Sequence, residues 1–92
     1  MTMDQEFIQL IEQLQKKAQK NMPALKVLVG TILEKKVTDK IEIEHTLDTL
    51  LDYTMLGLGK EEFERLNDYY GSVNKDHANF YWRHYRDMLG SD

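Results

Sequence analysis

Apolar residues recur along most of this chain at three- and four-residue spacing, the period of a helix that buries one face. Phe7, Leu10, Ile11, Leu14 and Ala18 form the first stripe, and Gln5, Gln9, Glu12, Gln13, Lys16, Lys17 and Lys20 fill the opposite side. The pattern predicts a helix from about Asp4 to Asn21, capped by Asp4 and stopped by Pro23, the only proline. Pro23 then opens a second helix to about Lys36, with Leu25, Leu28, Val29, Ile32 and Leu33 as its stripe. Gly30 falls on its polar side, where it could admit a close neighbour.

Asp39 followed three residues later by Glu42 has capping-box spacing and begins a third helix. Ile43, Leu47, Leu50, Leu51 and Leu58 face one way, and Gly57 and Gly59 end it. A fourth helix, about Lys60 to Tyr70, buries Phe63, Leu66 and Tyr70. Gly71-Ser72-Val73-Asn74 predicts a turn, and a fifth helix runs from about Lys75 to Leu89, capped by Asn74 or Ser72. Ile41-Glu42-Ile43-Glu44 alternates like a strand but is short and follows a helix cap. The fold class expected is all-α, a compact bundle of four to five helices with short connections, in a single domain over residues 1–92.

Composition narrows the setting. The 92 residues hold no Cys, which removes disulfides, thiolate catalysis and Cys-based zinc sites and points to a cytoplasmic protein. No uninterrupted apolar segment approaches the roughly 18 residues of a spanning helix, and the N-terminus lacks the pattern of a signal peptide. Net charge is −4 but uneven. Residues 1–40 carry seven Lys against five acidic residues, a net +2, and residues 41–92 carry five basic against eleven acidic, a net −6. Such a split disfavours a nucleic-acid surface and fits contact between halves or between copies.

The densest chemistry is Phe80-Tyr81-Trp82-Arg83-His84-Tyr85-Arg86, which includes the only Trp. At ~100° per residue, Asn79, Arg83, Arg86 and Asp87 share a narrow polar strip. The remaining apolar and aromatic arc spans ~200°, about twice what one core-facing stripe needs. Tyr81, Tyr85 and Met88 sit near its centre and are expected in the core. Its edges are candidate contact surface: Trp82 and Leu89 foremost, with Phe80, Arg83 and Arg86, since Trp and Arg dominate interface energetics. An alternative is a small-ligand pocket between helices lined by Tyr70, Tyr81, Tyr85, His77 and His84.

Other motifs reduce to structure. Gly57-Leu58-Gly59-Lys60 has Thr at position 54 and Glu61 after the lysine, so it fails as a phosphate loop and reads as a helix end. Glu42-x-x-His45 is a single half of a di-iron pattern and faces away from the Leu stripe. His77 and His84 lie two turns apart, about 10 Å, too far to chelate one ion. Ser72, Asp76 and His77 lack a nucleophile turn, and Glu61, Glu62 and Glu64 read as a solvated face. The expectation is a non-catalytic interaction or regulatory module that forms a homodimer or binds another protein, with no cofactor, metal, nucleic acid or membrane.

Overall fold

The computed structural model describes residues 4–90. It is all-α, with four helices and no strands among the described residues: α1 Gln5–Lys35, α2 Lys40–Thr54, α3 Lys60–Val73 and α4 Lys75–Met88. No helix is long and apolar enough to cross a membrane.

The main departure from expectation is at Pro23. The two helices predicted to meet there are one helix of 31 residues. Proline lacks an N–H and crowds the carbonyl four residues back, a combination that normally ends a helix. Packing on both sides of Pro23 outweighs that local preference. Met22 is buried with its sulfur near Gly59, Asn21 Nδ2 donates to the Tyr53 hydroxyl at 3.1 Å, and Val29 and Ile32 are buried in the core. The two sequence stripes therefore join into one, running Phe7, Ile11, Leu14, Ala18, Met22, Leu25, Val29 and Ile32.

That joined helix is longer than the body beneath it. At 1.5 Å per residue its 31 residues span about 46 Å, close to the 47 Å long axis of the molecule. Burial begins only at Ala18, so the apolar stripe upstream has no core to enter. Phe7, Leu10 and Leu14 are 50%, 51% and 47% exposed, which corrects the expectation that they would be core. The overhang also explains the radius of gyration of 14.7 Å, where about 12 Å is typical of a compact chain this long.

α1 ends at Lys36, a left-handed residue (φ 53°) whose N–H bonds the Ile32 carbonyl. Asp39 then caps α2, accepting from the Ile41 and Glu42 amides at 2.9 and 3.4 Å. The Tyr53 carbonyl takes the Leu56 and Leu58 amides after α2, and Gly57 (φ 81°) and Gly59 (φ 75°) turn the chain into α3. Leu58 thus lies in the turn and does not extend the α2 stripe. Gly59 is needed twice over: its φ is left-handed, and an added Cβ would lie 3.2 Å from Leu50 Cδ2. Gly59→Ala is expected to cost about 1–3 kcal/mol, read as a lower urea midpoint with an unchanged slope. A loss under a few tenths of a kcal/mol would show that this turn tolerates a side chain. Gly30, by contrast, has open space around it, with no close neighbour against it.

The turn expected over residues 71–74 is shorter than predicted. α3 continues through Gly71 and Ser72 to Val73, and the chain breaks only at Asn74 (φ −151°). The side chain of Asn74, not Ser72, caps α4, accepting the His77 amide at 3.1 Å, while Ser72 Oγ bonds back to the Tyr69 carbonyl. Asn67 fixes α3 on α4 by donating Nδ2 to the Ala78 carbonyl at 2.9 Å. Between the helices lies one core of Val29, Ile32, Ile43, Leu47, Leu50, Leu51, Phe63, Leu66, Tyr70, Ala78, Tyr81 and Tyr85. Glu62 is also buried, at 8% exposure, so the face of Glu61, Glu62 and Glu64 is not uniformly solvated as the sequence suggested.

Candidate functional site

The aromatic residues of α3 and α4 supply the core with rings and its rim with hydroxyls. Tyr70, Tyr81 and Tyr85 are each buried as rings and each donates its hydroxyl to a carboxylate at the edge. Tyr70 reaches Glu44 Oε2 at 2.5 Å, Tyr81 reaches Asp48 Oδ1 at 2.8 Å and Tyr85 reaches Glu64 Oε2 at 2.7 Å. Burial pushes all three phenols well above the ordinary tyrosine range, and each carboxylate, by hydrogen bond and by charge, pushes further in the same direction. The pairs link α3 to α2, α4 to α2 and α4 to α3, so the three helices are tied at their wet ends.

Glu44 carries a second partner. His77 Nδ1 lies 2.6 Å from Glu44 Oε2, and Lys40 Nζ lies 3.4 Å from His77 Nε2. An ammonium can only donate, so Nε2 accepts from Lys40 and Nδ1–H donates to Glu44. Burial pushes the Glu44 carboxyl upward, but hydrogen bonds from Tyr70 and His77 and the nearby positive charge of Lys40 outweigh it and leave the group below the usual carboxylate range. Beside this relay opens a cleft of about 420 Å³ lined by Glu44, Asp76, His77, Phe80 and Tyr81.

The structure divides both sequence-derived residue sets. Of Tyr70, Tyr81, Tyr85, His77 and His84, only Tyr81 and His77 line this cleft. Tyr70 is wholly inside the core, Tyr85 turns its hydroxyl to Glu64, and exposed His84 leans on Phe80 with ring centres 5.4 Å apart. Of the proposed contact residues, Trp82 is not bare. It is half-buried, edge-on to Phe63 at 5.9 Å and to Tyr85 at 6.0 Å. Leu89 (45%) and Phe80 (57%) are exposed, but Phe80 and Trp82 lie ~160° apart around the helix axis. They therefore belong to separate edges. Arg83 and Arg86 are exposed, and Tyr81 and Tyr85 are core as expected.

Sequence reading missed Glu44, Asp48 and Glu64 as partners of the tyrosines. A signal was present: Glu44 and Asp48 are four apart and so share one face of α2. Which ring would meet which acid required the packing of α4 on α2. The other missed feature is the free part of the α1 stripe. There Leu14, Lys17, Ala18, Asn21, Tyr53 and Leu56 line a shallow groove of about 220 Å³ where the overhang meets the body. Among the described residues, no group of three or more His, Asp or Glu is placed to hold a metal ion. In comparisons with protein-family models, curated proteins and solved structures nothing matches this chain, so its function is read from these residues and their geometry.

Proposed function

We propose that this chain is a small, non-catalytic interaction module of the cytoplasm that works through association with protein, its own copies included. The observation that carries this reading is the α1 overhang, where Phe7, Leu10 and Leu14 stand about half exposed along one face. Scattered exposed apolar residues are normal on any surface; a contiguous helical stripe with no core beneath it is not. Covering half of a Phe or Leu side chain contributes roughly 1 kcal/mol. One copy's stripe therefore offers only a few kcal/mol, and a useful complex needs a partner that brings apolar surface of its own. The α4 edge of Trp82, Leu89, Arg83 and Arg86 supplies a second, smaller surface, with Trp82 already anchored on Phe63.

Leu10→Glu tests the reading, because Leu10 is exposed and its replacement leaves the core intact. Wild type is expected to sediment as a larger species at high concentration, or to retain protein partners from native lysate. The variant is expected to lose these while keeping its helical circular dichroism. A wild-type chain that stays monomeric and retains nothing more than the variant does would remove the proposal.

A second reading is a small-ligand site at the cleft between α2 and α4. It is favoured by the 420 Å³ volume and by an exposed Phe80 that lines the cleft together with the carboxylates of Glu44 and Asp76. That lining suits a compact organic cation, whose charge is attracted to both ring face and acid. Chemical-shift changes at Phe80 and His77 on titration with small ammonium and guanidinium compounds would support it; their absence at millimolar ligand would dismiss it.

A further inference from the structure

The partner of the α1 overhang follows from its charge order and its spacing. Among residues 4–12 the charged side chains are Asp4, Glu6 and Glu12, all acidic and exposed. Among residues 13–22 they are Lys16, Lys17 and Lys20, all basic and exposed. Two such helices side by side and parallel place acid on acid and lysine on lysine. Antiparallel, they place each acidic block along a basic one, and their macrodipoles oppose.

The apolar positions give the same orientation and set the register. Phe7, Ile11, Leu14 and Ala18 are spaced four, three and four residues apart, an order that reads identically in both directions. An antiparallel pair about a two-fold axis between residues 12 and 13 therefore sets Phe7 against the second copy's Ala18, and Ile11 against its Leu14. The largest ring thus comes level with the smallest side chain, which its own chain leaves only 3% exposed, so the ring seats beside Ala18 and not on it. Ala18 is also on the wall of the groove shared with Leu14, Tyr53 and Leu56, an opening of about 220 Å³ at the position where that ring arrives. On one flank of the pair Glu6 comes alongside Lys17 of the second copy, while Asp4 and Lys20 lie elsewhere around the helix.

We propose that the α1 overhang pairs antiparallel with the same segment of a second copy of this chain, each Phe7 seated in the other's groove beside Ala18. The proposal rests on the interaction reading above and names its partner. The contact covers about 27 Å of helix, so the dimer is weak and concentration-dependent.

Sedimentation velocity of the full chain across a concentration series gives the first test, and a monomer throughout overturns the proposal. Orientation is read by single cysteines, since the chain has none of its own. Gln13→Cys lies level with the two-fold axis on the polar side of each helix and is expected to be joined by a bismaleimide long enough to reach around the pair. Gln5→Cys lies about 22 Å along the axis from its copy and is expected to remain unlinked. Equal linking of both, or of Gln5→Cys alone, means a parallel pair and overturns the proposal. Lys17→Glu with Lys20→Glu should weaken the dimer roughly three- to tenfold, and adding Glu6→Lys should recover part of the loss. A dimer indifferent to both also overturns it. If wild type is monomeric yet another protein binds it and is released by Leu10→Glu, self-pairing falls and the interaction reading stands. If the dimer forms and Leu10→Glu leaves it unchanged, the α1 pairing falls and association through another surface stands.

Discussion

Raising the pH above 10 should unfold this protein steeply. The ordinary tyrosine pKa is 10.0, and Tyr70, Tyr81 and Tyr85 are all raised well above it in the folded chain. Below pH 10 both folded and unfolded chains keep these protons, and the contribution of the buried phenols is fully present. Above it the unfolded chain releases three protons that the folded chain holds, so stability falls until the folded values are reached. Each tyrosine contributes a slope of about 1.4 kcal/mol per pH unit, and the three together about 4. A domain with roughly 5–15 kcal/mol of total stability then loses its fold within about one to four units. Tyrosinate absorbance and helical circular dichroism should therefore change together for these three residues. Tyr85→Phe should reduce the slope by about a third. Ionisation of all five tyrosines with the helices intact would show that the hydroxyls of Tyr70, Tyr81 and Tyr85 titrate freely.

Pro23→Ala should stabilise the protein by about 3 kcal/mol, an unusual gain for one substitution. Pro23 is exposed, so no packing is lost. The alanine restores an N–H to the Gln19 carbonyl four residues back and removes the ring's crowding of that turn. The gain should appear as a raised denaturant midpoint with an unchanged slope. Because Ala18 and Met22 just upstream are buried, the stabilised turn is also the one that carries the overhang. Amide exchange should slow across residues 19–27 more than elsewhere. An unchanged midpoint would mean that the helix already relieves the proline by opening locally at this turn.

Much of the fold was legible from pattern. Asp39 and Asn74 cap where their side chains predicted, Gly57 and Gly59 turn where left-handed residues were needed, and Phe63, Leu66 and Tyr70 are buried together. These features depend on residues within a turn or two of each other. Pro23 and Gly71-Ser72 misled for the same reason: their local preferences are real, but a few kcal/mol of distant packing overrides them. Met22 against Gly59, Asn21 on Tyr53, and Val73 against the core lie far apart in sequence and carry no local signature.

The candidate surfaces divide in the same way. Periodicity identified the wide arc of α4 and correctly placed Tyr81 and Tyr85 inward and Arg83 and Arg86 outward. It could not supply Phe63, which half-covers Trp82, or the acids Glu44, Asp48 and Glu64 that take the tyrosine hydroxyls. An apolar stripe in sequence states only that a face avoids water. The sequence alone determined that helices form, where most begin and end, and which faces are apolar, because those follow from backbone sterics and side-chain period. Only the tertiary structure decided that α1 is continuous and outruns its core, leaving Phe7, Leu10 and Leu14 about half exposed. That outcome is set by where the other three helices stop, and no local pattern encodes it.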